Sequence, residues 1–207
     1  MVSVLVFLLL QFSYGLETLL LALQGKAPHL SLYITNFGLS GATSEVSLSA
    51  MAVIICVIVN IINVLAEEGM FRGFILQAVT DKWGFKTANY VQALLFGIWH
   101  IVMCVLGVYD GQMTIVQAIV FAIGYVVLAG ILAIEWGTCV NMTGVLWVGL
   151  SEHFFNNFIG NILHVVSTTG TDEFQIIRIV LSNFLSLGIV LFINKKNKAN
   201  QEITEAK

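Results

Sequence analysis

The sequence has few charged residues and almost no proline, and both shortages narrow the class of protein. Charged residues make up 10% of the 207 positions, and proline occurs 1 time. A water-soluble domain of this length needs more charge than that to cover its core. The hydrophobic fraction is 58% and the mean hydropathy is +0.92. The composition therefore predicts an all-α membrane protein, a polytopic bundle of transmembrane helices.

Basic residues and cysteines are also scarce. The 9 lysines and arginines leave a net charge of −3, so no basic stripe is present and no nucleic acid partner is expected. Cys56, Cys104 and Cys139 are odd in number, lie in apolar stretches and have no CxxC spacing. This pattern is typical of buried free thiols and argues against a disulfide framework.

Long hydrophobic runs, separated by polar or glycine-containing breaks, predict about six spans. These runs cover residues 2–23, 48–79, 87–108, 113–134, 139–165 and 174–194. The predicted organisation is an N-terminal span and loop (1–47), a core (48–194) and a polar tail (195–207). Lysines follow the last run, which places that end in the cytoplasm, and an even number of spans then places both termini there.

Charged residues inside a predicted span are rare and mark functional sites by default. Glu67, Glu68 and Arg72 lie within the run 48–79. On a helix Glu68 and Arg72 are one turn apart and can pair, whereas Glu67 is rotated about 100° from Glu68. One arginine cannot serve both carboxylates equally. Glu67 is therefore a candidate general base.

Two further helices carry polar residues at a similar depth. His100 lies in the run 87–108, and His153 and Asn157 lie one turn apart in the run 139–165. Counted from the predicted cytoplasmic ends, Glu67, His100 and His153 are all about 18–21 Å into the membrane. The sequence therefore predicts an active site within the membrane, shared by three spans.

Three motifs occur in order along this part of the chain. They read E-E-x-x-x-R at Glu67–Arg72, F-x-x-x-H at Phe96–His100 and H-x-x-x-N at His153–Asn157. This pattern resembles the signature of the CPBP (Abi) family, which contains the CAAX proteases and bacteriocin-processing enzymes. The resemblance covers roughly residues 55–165. One departure is that no proline precedes the double glutamate, which affects helix shape more than chemistry.

The resemblance implies an intramembrane endopeptidase and a role for each motif residue. Glu67 would act with His100 to activate a water molecule for attack on a peptide carbonyl. His153 and Asn157 would stabilise the oxyanion that develops in that attack. The implied substrate is a membrane-associated peptide or small protein, such as a leader or bacteriocin-like peptide, in a bacterial plasma membrane.

Two questions about the site stay open at the level of sequence. Glu68 with Arg72 would be structural or would tune Glu67. No cofactor is certain, because Glu67, His100 and His153 could work without a metal or could bind a divalent ion such as zinc, although the chain has no HExxH pair.

Two other functions share these features. The first alternative is a non-proteolytic membrane protein, either a bacteriocin immunity protein or a regulator of a sensor kinase, with the same fold. The second is a transporter or proton channel that uses the buried carboxylates and histidines as a relay. The lipid bilayer is a partner in every case.

Several polar and aromatic residues outside the motifs have plain interpretations. Arg178 is expected to snorkel to the interface, and Trp136 to belong to the interfacial aromatic belt. Glu152 is expected on a helix surface and His164 at the membrane interface. Glu17, inside the first predicted span, has no explanation from the sequence.

Overall fold

The computed structural model describes residues 2–34 and 48–205. Within these ranges the chain forms seven α-helices, one π-helical segment (Gly69–Ile75) and two short strands. The helices are α1 (Val2–Leu23), α2 (Ala50–Glu68), α3 (Leu76–Trp99), α4 (Ile101–Tyr109), α5 (Ile115–Thr143), α6 (Trp147–Ile162) and α7 (Gln175–Glu205), and the strands are β1 (His29–Leu32) and β2 (Leu163–Val166).

The helices confirm the predicted all-α membrane fold. Three helical stretches of the described chain are long and apolar enough to cross a membrane: Ala50–Tyr109, Ile115–Thr143 and Gln175–Asn200. Large apolar side chains of α2, including Ile54, Ile58 and Ile62, are half exposed, as side chains that face lipid would be. The number of spans, six in the prediction, stays a prediction.

A single glycine divides the stretch Ala50–Tyr109 into two antiparallel arms. Gly84 has φ 76° and ψ 159°, a backbone conformation that glycine adopts without a steric cost. Phe71 lies before this break and Phe96 after it, yet their rings are 5.0 Å apart. The chain therefore reverses at Gly84, between the predicted runs 48–79 and 87–108.

The next two helices differ from the predicted runs 113–134 and 139–165. α5 continues to Thr143 and ends at Gly144, whose φ of 71° is the left-handed conformation of a helix C-cap. Residues 139–143 therefore belong to α5, and residues 163–166 form β2, not helix. The predicted run ended at residue 134, directly before Glu135, but Glu135 is buried among the helices.

The strands were not predicted, and they join distant parts of the chain. β1 pairs antiparallel with β2, with His29 opposite Val166 and Leu32 opposite Leu163. Strands of four residues carry too weak an alternation to be recognised in sequence. We call the end of the bundle that carries this pair the strand end. At the other end of the chain, α7 extends into the predicted polar tail and reaches Glu205.

Close packing between α3 and α5 forms the centre of the bundle. A Cβ atom on Gly97 would lie 2.7 Å from the carbonyl oxygen of Val126, so only glycine permits this approach. The Asn89 and Gln92 amides donate to backbone carbonyls of α5, at 3.0 Å and 2.8 Å. Phe96 and Trp136 belong to the hydrophobic core that forms beside this contact.

A buried ion cluster fastens α1 and α7 to the strand end. It consists of Glu17, His164, Asp172 and Arg178, which we call the strand-end cluster. The Arg178 guanidinium donates to Asp172 at 2.7 Å and 3.0 Å and also to Glu17. Asp172 lies 3.2 Å from His164 Nδ1. Burial alone would raise the pKa of Asp172, but hydrogen bonds from His164 and Arg178 lower that pKa to about 2.

Three expectations change with this cluster. Arg178 does not snorkel to the interface, because it is 3% exposed and bonded within the protein. His164 is fully buried and stacks on Tyr33 with ring centroids 3.9 Å apart, so the interfacial expectation was wrong too. Glu17 now has an explanation as the partner of Arg178.

Candidate active site

Four of the predicted residues form one buried polar cluster between α2, the π-helical segment and α6. These are Glu67, Glu68, Arg72 and His153, which we call the active-site cluster. Glu68 and Arg72 are fully buried, His153 is nearly so, and Glu67 is 9% exposed. Motif residues of two separate parts of the chain therefore meet inside the bundle.

His153 lies between the two adjacent carboxylates. Its Nδ1 is 2.8 Å from Glu68 Oε1, and its Nε2 is 3.4 Å from Glu67 Oε2. The Glu68 carboxylate accepts from Nδ1–H, which fixes the orientation of the ring and turns Nε2 toward Glu67. The second contact is too long for a strong hydrogen bond. Glu67 Oε2 has no hydrogen-bond partner among the described residues.

The π-helical segment begins directly after the double glutamate. The backbone N–H of Leu76 donates to Phe71 five residues earlier, which widens the turn that contains Arg72. Such widened turns occur frequently at functional sites. Arg72 Nη1 lies 3.4 Å from Glu68 Oε1, so the predicted pairing of these residues is present, as a long ion pair.

Two aromatic rings hold Arg72 from the other side. Its guanidinium carbon is 4.4 Å from the centre of the Phe96 ring and 4.9 Å from that of Trp136. Attraction between a cation and the face of an aromatic ring is strongest where water is excluded, as here. The three guanidinium nitrogens have no close hydrogen bond in the described part of the chain.

Trp136 is a site residue that the sequence analysis missed. Its ring stacks on His153 with centroids 4.0 Å apart and an interplanar angle of 17°. It is 2% exposed, so the interfacial-belt interpretation was wrong. A tryptophan next to a glutamate in a hydrophobic run is compatible with the membrane interface and with the bundle interior. Only the length of α5 shows that this one lies inside the bundle.

Two predicted residues stay apart from the cluster in this conformation. His100 lies at the break between α3 and α4, where its Nδ1 donates to the Phe96 carbonyl at 2.8 Å. Its ring contacts Phe96 and Tyr125, and among the described residues it forms no hydrogen bond or ion pair with Glu67 or His153. Asn157 is partly buried one turn after His153, and its side chain makes no hydrogen bond with other described residues.

The predicted metal-binding set is incomplete in this arrangement. Glu67 Oε2 and His153 Nε2 are close enough to each other to bind one ion. Within residues 2–34 and 48–205, no group of three or more histidine, cysteine, aspartate or glutamate side chains is arranged so that it could hold a metal ion. A catalytic zinc site normally has three protein ligands. The side chains do not fit a metal as they stand, because His100 would have to move to supply the third.

Two more buried carboxylates, Glu135 and Glu152, lie outside the active-site cluster. Glu152 is 5% exposed, so its predicted place on a helix surface was wrong, and Cys139 Sγ is 3.9 Å from its Oε2. The Ser186 hydroxyl donates to Glu135. These contacts join α6, which carries His153, and α7 to α5.

The fold and the site together define a helical membrane protein with a carboxylate–histidine cluster inside its bundle. Residues 49–159, more than half of the chain, match the family model described as type II CAAX prenyl endopeptidase, Rce1-like. The chain therefore belongs to the Rce1-like family of membrane proteases, which confirms the resemblance found in the sequence. Comparisons with curated proteins and with solved structures give no significant match. The matched range contains the whole active-site cluster and none of the strand-end cluster.

Proposed function

We propose that this protein is an intramembrane endopeptidase in which Glu67 is the general base. The observation that supports this most is the buried Glu67 carboxylate, which has an oxygen without a hydrogen-bond partner in the described chain and lies 3.4 Å from His153. Leaving a carboxylate oxygen unbonded inside a protein costs stability, and an incoming water molecule would supply the missing bond.

The net charge of the active-site cluster indicates how many protons its side chains hold. Arg72 and Glu68 carry opposite charges and cancel. Glu67 and His153 also sum to zero if they share one proton, held on either group. A neutral total is the least costly arrangement in an apolar interior. The form with ionised Glu67 and protonated His153 pairs a base with an oxyanion donor.

From that form, hydrolysis proceeds in two steps. Water gives a proton to Glu67 as its oxygen bonds to the peptide carbonyl carbon. His153 Nε2–H and Asn157 then donate to the oxyanion. In the second step the C–N bond breaks, and Glu67 gives its proton to the leaving amine. Glu68 holds His153 through Nδ1 throughout, and Arg72 balances the charge of Glu68.

His100 has a supporting role in this proposal. Its Nδ1–H donates to the Phe96 carbonyl, so its Nε2 carries a free lone pair in the neutral ring. That nitrogen can accept from the same water molecule once substrate brings α3 and α2 closer. The substrates we propose are hydrophobic leader-like or other membrane-associated peptides, and the location we propose is a bacterial plasma membrane with both termini in the cytoplasm.

The test uses the purified full chain in liposomes and a library of hydrophobic leader-like peptides, with a farnesylated CAAX peptide included. Mass spectrometry reads the cleavage products of wild type, Glu67→Gln and His100→Ala. We expect the wild type to cleave part of the library, Glu67→Gln to cleave nothing, and His100→Ala to be slower. If Glu67→Gln cleaves as fast as wild type, the assigned base is wrong. If the wild type cleaves nothing, the proposed activity is wrong and the non-proteolytic alternative is favoured.

A further inference from the structure

A buried amide lies on the same helix face as Glu67. Within α2 the buried residues are Asn60, Val64, Glu67 and Glu68. Asn60 and Glu67 are seven residues apart, which places their side chains about 20° from each other around the helix and about 10.5 Å apart along it. Any separation of helices that exposes Glu67 to a substrate therefore exposes Asn60 as well.

The Asn60 side chain is only half satisfied. Its Nδ2 donates to the Cys56 carbonyl at 2.8 Å, whereas its Oδ1 has no hydrogen-bond partner among the described residues. The residue is 3% exposed, so solvent does not replace the missing bond. An unbonded amide oxygen in an apolar interior is costly, and leucine would fit a membrane helix better. The position of Asn60 suggests that its Oδ1 accepts a hydrogen bond from a molecule that enters the site.

The neighbouring helix indicates where such a molecule would lie. α2 packs against α6, and the bond between Glu68 and His153 in the active-site cluster joins the two helices. α2 and α6 run in opposite directions, because three chain reversals separate them. Moving from Glu67 to Asn60 along α2 therefore corresponds to moving from His153 past Asn157 along α6. A peptide between these helices would pass both amides.

We propose that Asn60 is a substrate-binding residue whose Oδ1 accepts a hydrogen bond from a backbone N–H of the peptide. A peptide in an apolar site needs partners for its backbone N–H groups, and an extended chain cannot supply them itself. At about 3.3 Å per residue, 10.5 Å corresponds to about three residues from the bond that is cleaved. This inference rests on the proposed function and adds that the substrate is bound in an extended conformation between α2 and α6.

The experiment replaces single backbone N–H groups of the substrate. It starts from one peptide that the wild type cleaves and introduces an ester in place of an amide at each position within four residues of the cleaved bond. We expect KM to rise about tenfold for the ester about three residues away on one side, as for the loss of one hydrogen bond. In Asn60→Leu, KM should be about tenfold higher for the normal peptide, with no further rise for that ester.

A matched control separates binding from stability. Asn183 in α7 is also buried with an unbonded amide atom, its Nδ2, but it is not on the Glu67 face. We expect Asn183→Leu and Asn60→Leu both to keep the wild-type Tm or raise it. Only Asn60→Leu should change KM.

Each other outcome overturns the inference. If the wild type shows no position-specific ester effect, Asn60 does not bind a peptide N–H. If Asn60→Leu lowers Tm and slows all ester peptides equally, the residue is structural. Either result leaves the proposed peptidase intact, provided that the wild type cleaves the unmodified peptide. If it cleaves no peptide at all, the proposed function and this inference fall together.

Discussion

The active-site cluster and the strand-end cluster contain the same kinds of residue, but their hydrogen bonding differs. Arg178 makes two bonds to Asp172 and one to Glu17. Arg72 has one carboxylate at 3.4 Å and no close hydrogen bond in the described ranges. Both arginines are buried. The comparison teaches that a buried arginine with close carboxylate bonds serves the fold, whereas one without close bonds leaves its cluster available for the proposed chemistry.

Aromatic rings explain how the incomplete cluster persists. Phe96 and Trp136 cover the guanidinium of Arg72, and Trp136 also covers His153. These contacts fix positions without using hydrogen-bonding atoms. Glu67 Oε2 lies 3.4 Å from the His153 ring that is held in this way, and it has no hydrogen-bond partner in the described chain.

The largest expected effect comes from removing the proposed general base. Glu67→Gln keeps the shape of the side chain, so we expect kcat/KM for peptide cleavage to fall about 10³-fold, within the range of general-base catalysis, with Tm unchanged. In the matched variant Glu17→Gln, Tm should fall while kcat/KM stays within about threefold of wild type at a temperature where both are folded. Equal losses of activity in the two variants would remove the functional distinction between the clusters.

The second effect concerns stability. Arg178→Leu leaves the carboxylates of Glu17 and Asp172 buried without their cation, and we expect it to lower the free energy of unfolding by about 3–5 kcal/mol. Chemical unfolding in detergent, followed by circular dichroism, measures this. The double variant Glu17→Gln with Arg178→Leu should recover part of the loss. A variant as stable as wild type would show that the strand-end cluster is dispensable for the fold.

A third effect is the pH dependence of the strand end. The pKa of Asp172 is lowered from 3.8 to about 2, so its ionised form stabilises the folded state above pH 3.8. As the pH falls toward 2, this contribution is lost, up to about 2 kcal/mol and less where solvent screens it. Tm of the wild type should fall between pH 5 and pH 2 more steeply than Tm of Asp172→Asn. Parallel curves would contradict the assignment.

The smallest effect should come from changing Trp136, one of the two rings that pack on Arg72. Trp136→Phe keeps a ring over Arg72 but weakens both its attraction for the cation and the stacking on His153. We expect a cost of about 1 kcal/mol in stability and a fall in kcat of about fivefold. Trp83→Phe is the control, because Trp83 is exposed at 56%. If both variants behave alike, Trp136 does not position His153.

Local spacing in the sequence predicted part of the site well. The one-turn separation of Glu68 and Arg72 predicted their pairing, and the similar depth of Glu67 and His153 agrees with their contact. Depth alone could not show that His100 turns toward the Phe96 carbonyl, because side-chain direction depends on the helix break at that residue. Spacing predicts a partner one turn away on the same helix, but it does not predict a partner on another helix.

Contacts between distant parts of the chain could not be predicted from the sequence. Neither Glu17 nor Arg178 carries a local sign of the other, and the snorkelling interpretation of Arg178 failed because the partner lies in another helix. The end of α5 was misplaced for a related reason. A glutamate in a hydrophobic run indicates a span end unless a partner such as Ser186 accommodates it inside the bundle.

The separation of Glu17 and Arg178 also has a consequence for biosynthesis. These residues are 161 positions apart, so at 5–20 residues per second a ribosome needs about 8–32 s between them. During that interval Glu17 in α1 has no Arg178 to pair with, because Arg178 has not yet been synthesised. For most of it β1 likewise has no β2 to pair with. The helices that carry the active-site cluster are all made in the meantime. Of the two clusters, the one at the strand end is thus the last to be assembled.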